Sequence, residues 1–289
     1  MPARRLMIPA DLRRVVVVEE LDLSLDGRLA VVVRRSSVGD RYVGHLFAIP
    51  LDGPVVPRPR ALTRGIVRDT KPRLSADGRT LAFVRSDPRE EDAPAGLAVI
   101  DVDRARSVRR LRPGGHGAVV DLAWSPDGRR LAFCAEVDPP RFIVGDVPPA
   151  GRRHRGKAPG TPSPLARRIT RADWRWDGEG HRDRWTHLFV LDRLAGRPRQ
   201  ITAGDWGVAD IAWHPDGRRI AFSADLGPDP DLHPQPTIWS VDVDEVRAAD
   251  GGLTVEPHEV LAAEGWASQP AWSPDGRWIA AVGLLEARP

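Results

Sequence analysis

One stretch decides the fold: Trp124-Ser-Pro-Asp-Gly-Arg-Arg-Leu-Ala-Phe-Cys134, which recurs with small changes along the chain. Aspartate can accept a hydrogen bond from a following backbone N–H, and glycine accepts a positive φ, so Asp-Gly is typical of a tight turn. An apolar run follows the turn in each copy, which predicts a β-hairpin, and a recurring hairpin indicates a repeat architecture. The predicted turn residues of the five copies are Asp26, Gly27, Asp77, Gly78, Asp127, Gly128, Asp216, Gly217, Asp275 and Gly276.

Further strand-like stretches lie between the copies of the hairpin phrase: 45–49, 96–102, 187–192 and 237–243. Each is followed by a polar turn and a short extended piece such as 199–202. Four strands in about 40–50 residues are the dimensions of a propeller blade. The sequence therefore predicts an all-β propeller of four-stranded blades, with five to six blades present.

The spacing of the repeated glycines, 51, 50, 89 and 59 residues, sets the expected blade boundaries. The wide third interval favours one blade with an insertion at 136–185, and two blades, one of which lacks the phrase, are the alternative. Only residues 283–289 follow the last hairpin, and an open propeller exposes unpaired strand edges. We therefore expect an incomplete last blade and the front part of a longer chain. The expected blades are 11–58, 59–108, 109–202, 203–262 and the partial 263–289.

The composition argues against several classes of protein. The 289 residues carry a formal net charge of +3 at pH 7, and the most basic stretch, 152–157, has no interleaved aromatic residues, so we expect no nucleic-acid partner. The single cysteine, Cys134, excludes an intramolecular disulfide and a cysteine-rich zinc site. No apolar run has the length of a signal peptide or a membrane span, which predicts a cytoplasmic protein without membrane contact. No cofactor is expected.

The hairpin phrase resembles the repeats of TolB-like propellers and of the propeller in serine peptidases of the prolyl-oligopeptidase family. The segment 168–192, followed by 199–205 and the fourth hairpin, is similar to the acylaminoacyl-peptidase and dipeptidyl-peptidase-like branch. The resemblance implies a propeller that precedes an α/β-hydrolase domain, covers its active site and restricts entry to short or unfolded peptides. It also implies that the following domain carries a Ser-Asp-His triad.

The sequence departs from that family at the motif that carries the chemistry. No serine has a glycine two residues before it, so the Gly-x-Ser-x-Gly elbow is absent, as is the strand-helix alternation of a hydrolase domain. We therefore assign no catalytic residue and expect the chain alone to be inactive. We interpret it as the substrate-gating propeller of a serine peptidase, with the hydrolase domain as its partner. The alternative is a stand-alone TolB-like interaction propeller without enzymatic activity, in which two copies could complete each other as a homo-oligomer.

The irregular segment before the fourth hairpin supplies the candidate gate or domain-interface residues. Acidic residues and histidine alternate there, a pattern that could hold a divalent cation, but we favour pairing with nearby arginines and predict no metal site. The tryptophans could line a peptide-binding surface, and packing under a loop is the interpretation we favour. The candidates are Trp174, Trp176, Asp177, Glu179, His181, Asp183 and Trp185.

Two further sets of residues, arginines and tryptophans, recur at fixed positions of the hairpin phrase. The arginines that follow the turn glycines could bind acidic ligands, but we expect them to be exposed and paired with the turn aspartates. The tryptophans that precede three of the turns, Trp124, Trp213 and Trp272, are expected to fill the space between blades. The arginines are Arg28, Arg79, Arg129, Arg218 and Arg277.

Overall fold

The structure is a computed structural model, and it describes part of the chain. The described residues are 6–53, 58–90, 93–105, 107–111, 117–137, 143–144, 166–167, 169, 171–177, 180–181, 184–245, 247–249, 252–261 and 265–284. Within them, one short 3-10 helix, Pro9–Arg14, precedes a chain of strands and turns. The prediction of an all-β fold built from four-stranded sheets is confirmed. None of the described helical residues forms a helix long and apolar enough to cross a membrane.

The first two sheets follow the order of the sequence. The first contains β1 (Val17–Leu23), β2 (Leu29–Val38), β3 (Arg41–Pro50) and β4 (Arg60–Ala61). The second contains β5 (Arg68–Leu74), β6 (Thr80–Ser86), β7 (Gly96–Asp101) and β8 (Arg109–Arg110). Neighbouring strands within each sheet are antiparallel, and one parallel bridge between Gly44 and Arg68 joins the two sheets.

The third sheet contains β9 (Val119–Trp124) and β10 (Leu131–Val137), and it is completed after a long interval by β15 (Trp185–Leu191) and β16 (Arg199–Gln200). Two small hairpins lie in that interval. They are β11 (Ile143–Val144) with β12 (Ala166–Arg167), and β13 (Arg175–Trp176) with β14 (Gly180–His181). Because β10 pairs with β15 along its whole length, this interval is an excursion from a single sheet.

The fourth sheet contains β17 (Ala209–Trp213), β18 (Arg219–Ala224), β19 (Thr237–Asp242) and β22 (His258–Leu261). The small hairpin of β20 (Arg247–Ala249) and β21 (Gly252–Thr254) lies between its third and fourth strands. A last hairpin pairs β23 (Trp266–Trp272) with β24 (Ile279–Leu284). Each copy of the repeated phrase therefore forms the turn between a first and a second strand.

The first strands of successive sheets lie side by side. They contact one another in series, β1 with β5, β5 with β9, β9 with β17 and β17 with β23, whereas the fourth strands have two to four residues each. The five hairpin turns occupy one end of the sheets, which we call the turn face. The antiparallel order puts the connections between second and third strands at the other end, which we call the loop face.

The core lies between the sheets, and the phrase supplies much of it. Because side chains alternate along a strand, Phe133 faces the second sheet while Ala132 and Cys134 face the fourth. In the third sheet, the second strand β10 and the third strand β15 are covered on both faces, which explains their continuous apolar runs. The prediction for the tryptophans is confirmed for Trp124 and Trp213, which donate their indole N–H to carbonyls of the preceding sheet, Arg73 at 3.0 Å and Ala123 at 3.1 Å.

The first strands also contain bulges that the sequence pattern did not predict. The pairing register shifts within β5, β17 and β23, and at each shift a residue other than glycine adopts a positive φ: Lys71, Asp210 and Gln269. Carboxylates of the preceding strand support two of them, since Glu20 accepts from the Lys71 N–H at 2.9 Å and Asp210 from the Gln269 N–H at 3.3 Å. The bulges at Lys71 and Gln269 are thus stabilised by contacts between sheets.

Candidate functional site

The candidate gate residues lie on the loop face, in the interval between β10 and β15. Arg175 pairs with His181, and Trp176 with Gly180, in the short hairpin of β13 and β14. Glu179 and Asp183 lie outside the described residues. Trp174 is 39% exposed and Asp177 is also exposed, whereas Trp185 is buried. The structure therefore brings Trp174 and Asp177 to the surface and places Trp185 in the core.

Arg171 is the anchor of this segment. Its Nε donates to Asp173 Oδ1 at 2.9 Å, and its Nη1 donates to the carbonyl of Asp205 at 3.2 Å. Its guanidinium carbon lies 4.8 Å from the centre of the Trp185 ring, a cation–π contact. Trp185 therefore supports the segment from below, as the packing interpretation predicts for this residue.

A second contact ties the segment to the fourth sheet. The backbone N–H of Ala172 donates to Asp231 Oδ2 at 2.5 Å, and Asp231 lies in the connection between β18 and β19. Residues 171–173 therefore bridge the third and fourth sheets on the loop face. Sequence reasoning did not single out Arg171 or Asp231, because the two residues meet their partners only through the fold.

His187 follows the alternating acids in the sequence but is buried, at 3% exposure. Its Nδ1 lies 3.2 Å from Thr202 Oγ1, its Nε2 lies 3.2 Å from the carbonyl of Gly204, and its ring meets Trp206 edge-on. Burial lowers the pKa of His187 to about 4, because the charged imidazolium loses its hydration. His187 is therefore a neutral core residue. Within the described ranges, no three His, Cys, Asp or Glu side chains are grouped so as to hold a metal ion.

In all five turns the backbone N–H of the arginine donates to the turn aspartate, and in four of them a serine hydroxyl donates to the same oxygen. In the third turn the Ser125 hydroxyl donates to Asp127 Oδ1 at 2.6 Å, and the Arg129 N–H donates to the same oxygen at 3.0 Å. The turn glycine has φ near +69° in every copy, which side chains with a Cβ rarely adopt. The serine bond is the first cause that lowers the pKa of Asp127, and the backbone bond adds to it. In the fourth turn His214 replaces serine, and its Nδ1 accepts from the Asp216 N–H at 3.1 Å.

The expected pairing of the turn arginines with the turn aspartates is largely wrong. Among the five turns, all of which are described, only Arg129 approaches the aspartate of its own turn, at 3.9 Å from Asp127. Arg218 instead reaches Asp242 at 3.2 Å and Asp244 at 3.8 Å. In all five turns the aspartate accepts from the backbone N–H of the arginine, and in the four turns with a serine it also accepts from the serine hydroxyl.

Comparison with known proteins matches this architecture. Residues 106–138 match the family model "WD domain, G-beta repeat". The chain is 27% identical over 227 residues to the uncharacterized peptidase YuxL of Bacillus subtilis, covering 77% of this chain and 32% of that protein. Acylaminoacyl peptidase from Pyrococcus horikoshii superposes with a TM-score of 0.53 at 16% identity, covering 88% of this chain and 34% of that one.

A putative TolB from Agrobacterium tumefaciens also superposes, with a TM-score of 0.51 at 17% identity over 91% of this chain and 73% of that chain. The chain spans about a third of the length of the two peptidases, 32% and 34%. The resemblance that the hairpin phrase indicates is confirmed by these matches. The chain has the fold of the propeller regions of such peptidases and of TolB-like proteins.

Proposed function

We propose that this chain is the gating propeller of a cytoplasmic serine peptidase of the acylaminoacyl-peptidase type. The observation that carries the proposal is its similarity to a bacterial peptidase over 77% of its length. The sequence holds no Gly-x-Ser-x-Gly, so the nucleophile, histidine and aspartate belong to a hydrolase domain outside these residues. The reaction there is acylation of the serine by a short peptide and hydrolysis of the acyl-enzyme.

The propeller acts by steric exclusion in this proposal. Its sheets are joined by continuous apolar cores, so it is a stiff wall that unfolded or short peptides can pass and folded proteins cannot. The exposed Trp174 and Asp177 are the contacts that the loop face offers to the hydrolase domain or to the entering peptide. Arg171 and Asp231 hold the segment that carries them against two sheets, which supports a fixed rim.

The gate is tested in the peptidase that contains this chain, with variants made in its own gene. Trp174→Ala with Asp177→Ala is expected to raise kcat/KM for a small folded polypeptide relative to a tripeptide. Arg79→Gln, an exposed residue on the turn face, is the control and is expected to leave the ratio unchanged. An unchanged ratio in the double variant contradicts a gate at this segment.

A stand-alone binding propeller is the second candidate, and the superposition on 73% of a putative TolB chain favours it. It needs no hydrolase domain. A serine-directed fluorophosphonate distinguishes the two candidates, because only a protein with an activated serine becomes labelled.

A further inference from the structure

The packing of neighbouring turns on the turn face differs at one junction. Where two successive sheets meet, the glycine of the later turn can lie against the earlier turn. This is so at three of the four junctions, where a Cβ on the glycine would have a close neighbour. That Cβ would lie 3.9 Å from Ser24 at Gly78, 3.4 Å from Ala76 at Gly128 and 2.5 Å from His214 at Gly276. At the junction of the third and fourth sheets, a Cβ on Gly217 meets nothing within 4 Å.

A cleft of about 460 Å³ opens at that junction. The turns of the third and fourth sheets form two of its walls, and the residues that follow β15 and β19 form the others. Because Gly217 has no side chain, the cleft reaches the backbone of the fourth turn. The lining residues are Pro126, Asp127, Arg129, Arg130, Asp192, Pro215, Asp216, Gly217, Arg218 and Asp244.

The carboxylates that line the cleft already have partners. Asp192 lies 3.5 Å from Arg130 Nε and 3.7 Å from Arg199 Nη2. Asp244 lies 2.9 Å from Arg130 Nη1 and 3.8 Å from Arg218 Nε. Arg130 therefore connects the third sheet to the fourth, and both acids are ion-paired with arginines.

The two acids of the turns are engaged as well. Asp127 accepts the Ser125 hydroxyl and the Arg129 N–H. Asp216 accepts the Arg218 N–H at 2.8 Å and the Arg219 Nε at 2.8 Å. The carboxylates that line the cleft therefore already accept hydrogen bonds from turn residues or pair with neighbouring arginines.

The guanidinium groups of Arg129 and Arg218 make few hydrogen bonds to other described residues. The Arg129 side chain is 86% exposed, and its one ion pair among the described residues, with Asp127 at 3.9 Å, is beyond hydrogen-bond distance. The Arg218 side chain is 61% exposed and makes one hydrogen bond within the described ranges, to Asp242 at 3.2 Å. A guanidinium group has five N–H donors in a planar fork that matches carboxylate and phosphate oxygens.

We propose that this cleft binds an oxyanion, a carboxylate of an acidic peptide or a phosphate group, between Arg129 and Arg218. Arg130 connects the two walls through Asp192 and Asp244, and the open backbone at Gly217 leaves room for the ligand. The cleft is on the turn face, at the opposite end of the sheets from residues 171–177. Its ligand therefore binds without the gate and without a hydrolase domain.

The test is isothermal titration of the 289-residue chain at low ionic strength with inorganic phosphate and, separately, with capped tetraglutamate. The cleft variant is Arg129→Gln with Arg218→Gln. The matched control is Arg79→Gln with Arg277→Gln, which removes the same charge at the same turn position from junctions that are closed. The cleft variant is expected to weaken binding by at least about tenfold, and the control by less than about twofold.

Saturable binding of tetraglutamate alone identifies a carboxylate ligand, and binding of phosphate alone identifies a phosphate ligand. Absence of saturable binding of both probes overturns the proposal. Equal weakening in the cleft variant and the control also overturns it, since a long-range charge effect then explains the binding. Arg129→Gln alone keeps the test available if the double variant does not fold, because that side chain is 86% exposed.

Discussion

Replacement of Trp213 by phenylalanine tests one hydrogen bond between the third and fourth sheets. Trp213 is 8% exposed, and its indole N–H donates to the Ala123 carbonyl at 3.1 Å. Phenylalanine keeps most of the apolar contact but leaves that carbonyl without its donor, at a cost of about 1–3 kcal/mol. The smaller ring adds about 1 kcal/mol for lost packing. We therefore expect the free energy of unfolding to fall by about 2–4 kcal/mol.

The last hairpin offers a matched control. Trp272 has the same place in the phrase, but its indole Nε1 is buried and has no hydrogen-bond partner among the residues described. Its ring meets His214 edge-on, with centroids 4.6 Å apart. Trp272→Phe therefore removes ring packing without breaking a hydrogen bond, and we expect a loss of about 1 kcal/mol.

Urea denaturation followed by far-ultraviolet circular dichroism measures both variants, since the chain's 10 tryptophans complicate fluorescence. The comparison uses transition midpoints with the slope of the transition unchanged. Equal destabilisation by Trp213→Phe and Trp272→Phe would refute the assignment of a stabilising indole bond between sheets.

Three further predictions follow from single contacts. Because burial lowers the pKa of His187 from 6.5 to about 4, the unfolded chain binds a proton there that the folded chain does not, so stability falls as pH drops from about 6.5 to 4. At pH 4.5 this loss is about 2–3 kcal/mol, and urea titrations at two pH values should show it in the native chain and not in His187→Gln. Gly44→Ala puts a Cβ 2.8 Å from the Asp69 carbonyl and should cost about 1–3 kcal/mol in thermal unfolding, whereas Gly96→Ala, with open space, should cost nothing. Asp69→Asn leaves the Arg85 side chain, which is 11% exposed, without its bidentate carboxylate, and we expect a loss of about 3–5 kcal/mol. A thermal midpoint equal to that of the native chain would contradict this expectation.

The hairpins were predictable because their determinants are local. Serine, aspartate and glycine within five residues satisfy the turn by themselves, as the bonds of Ser125 and Asp127 show. The alternation of Ala132, Phe133 and Cys134 between two cores follows from the strand period alone. Such features need no knowledge of the neighbouring sheet.

The bulges and the candidate site depend on residues far apart in the sequence. Lys71 accepts a positive φ because Glu20, 51 residues earlier, binds its N–H, and Gln269 depends in the same way on Asp210, 59 residues earlier. Arg171 meets the carbonyl of Asp205, 34 residues later in the sequence. These contacts cannot be predicted from a residue pattern, because the way in which two sheets pack decides which residues meet.

The pairing of the turn arginines illustrates the same limit. Arg218 lies two residues from Asp216, and the sequence predicts an ion pair between them because they are so close in the chain. The backbone N–H of Arg218 takes the carboxylate instead, and its guanidinium turns to Asp242 on β19. Asp216 also pairs with the Arg219 guanidinium at 2.8 Å, so its ion pair forms with the next arginine along the chain and not with Arg218.

The most direct test of the central claim is the mass and reactivity of the native protein in its source cells. An antibody raised against this chain detects the protein, and a serine-directed fluorophosphonate reports an activated nucleophile. The proposal predicts a labelled species well above 31.8 kDa, the mass of this chain. An unlabelled species of 31.8 kDa would contradict the peptidase proposal and leave the chain as a binding propeller.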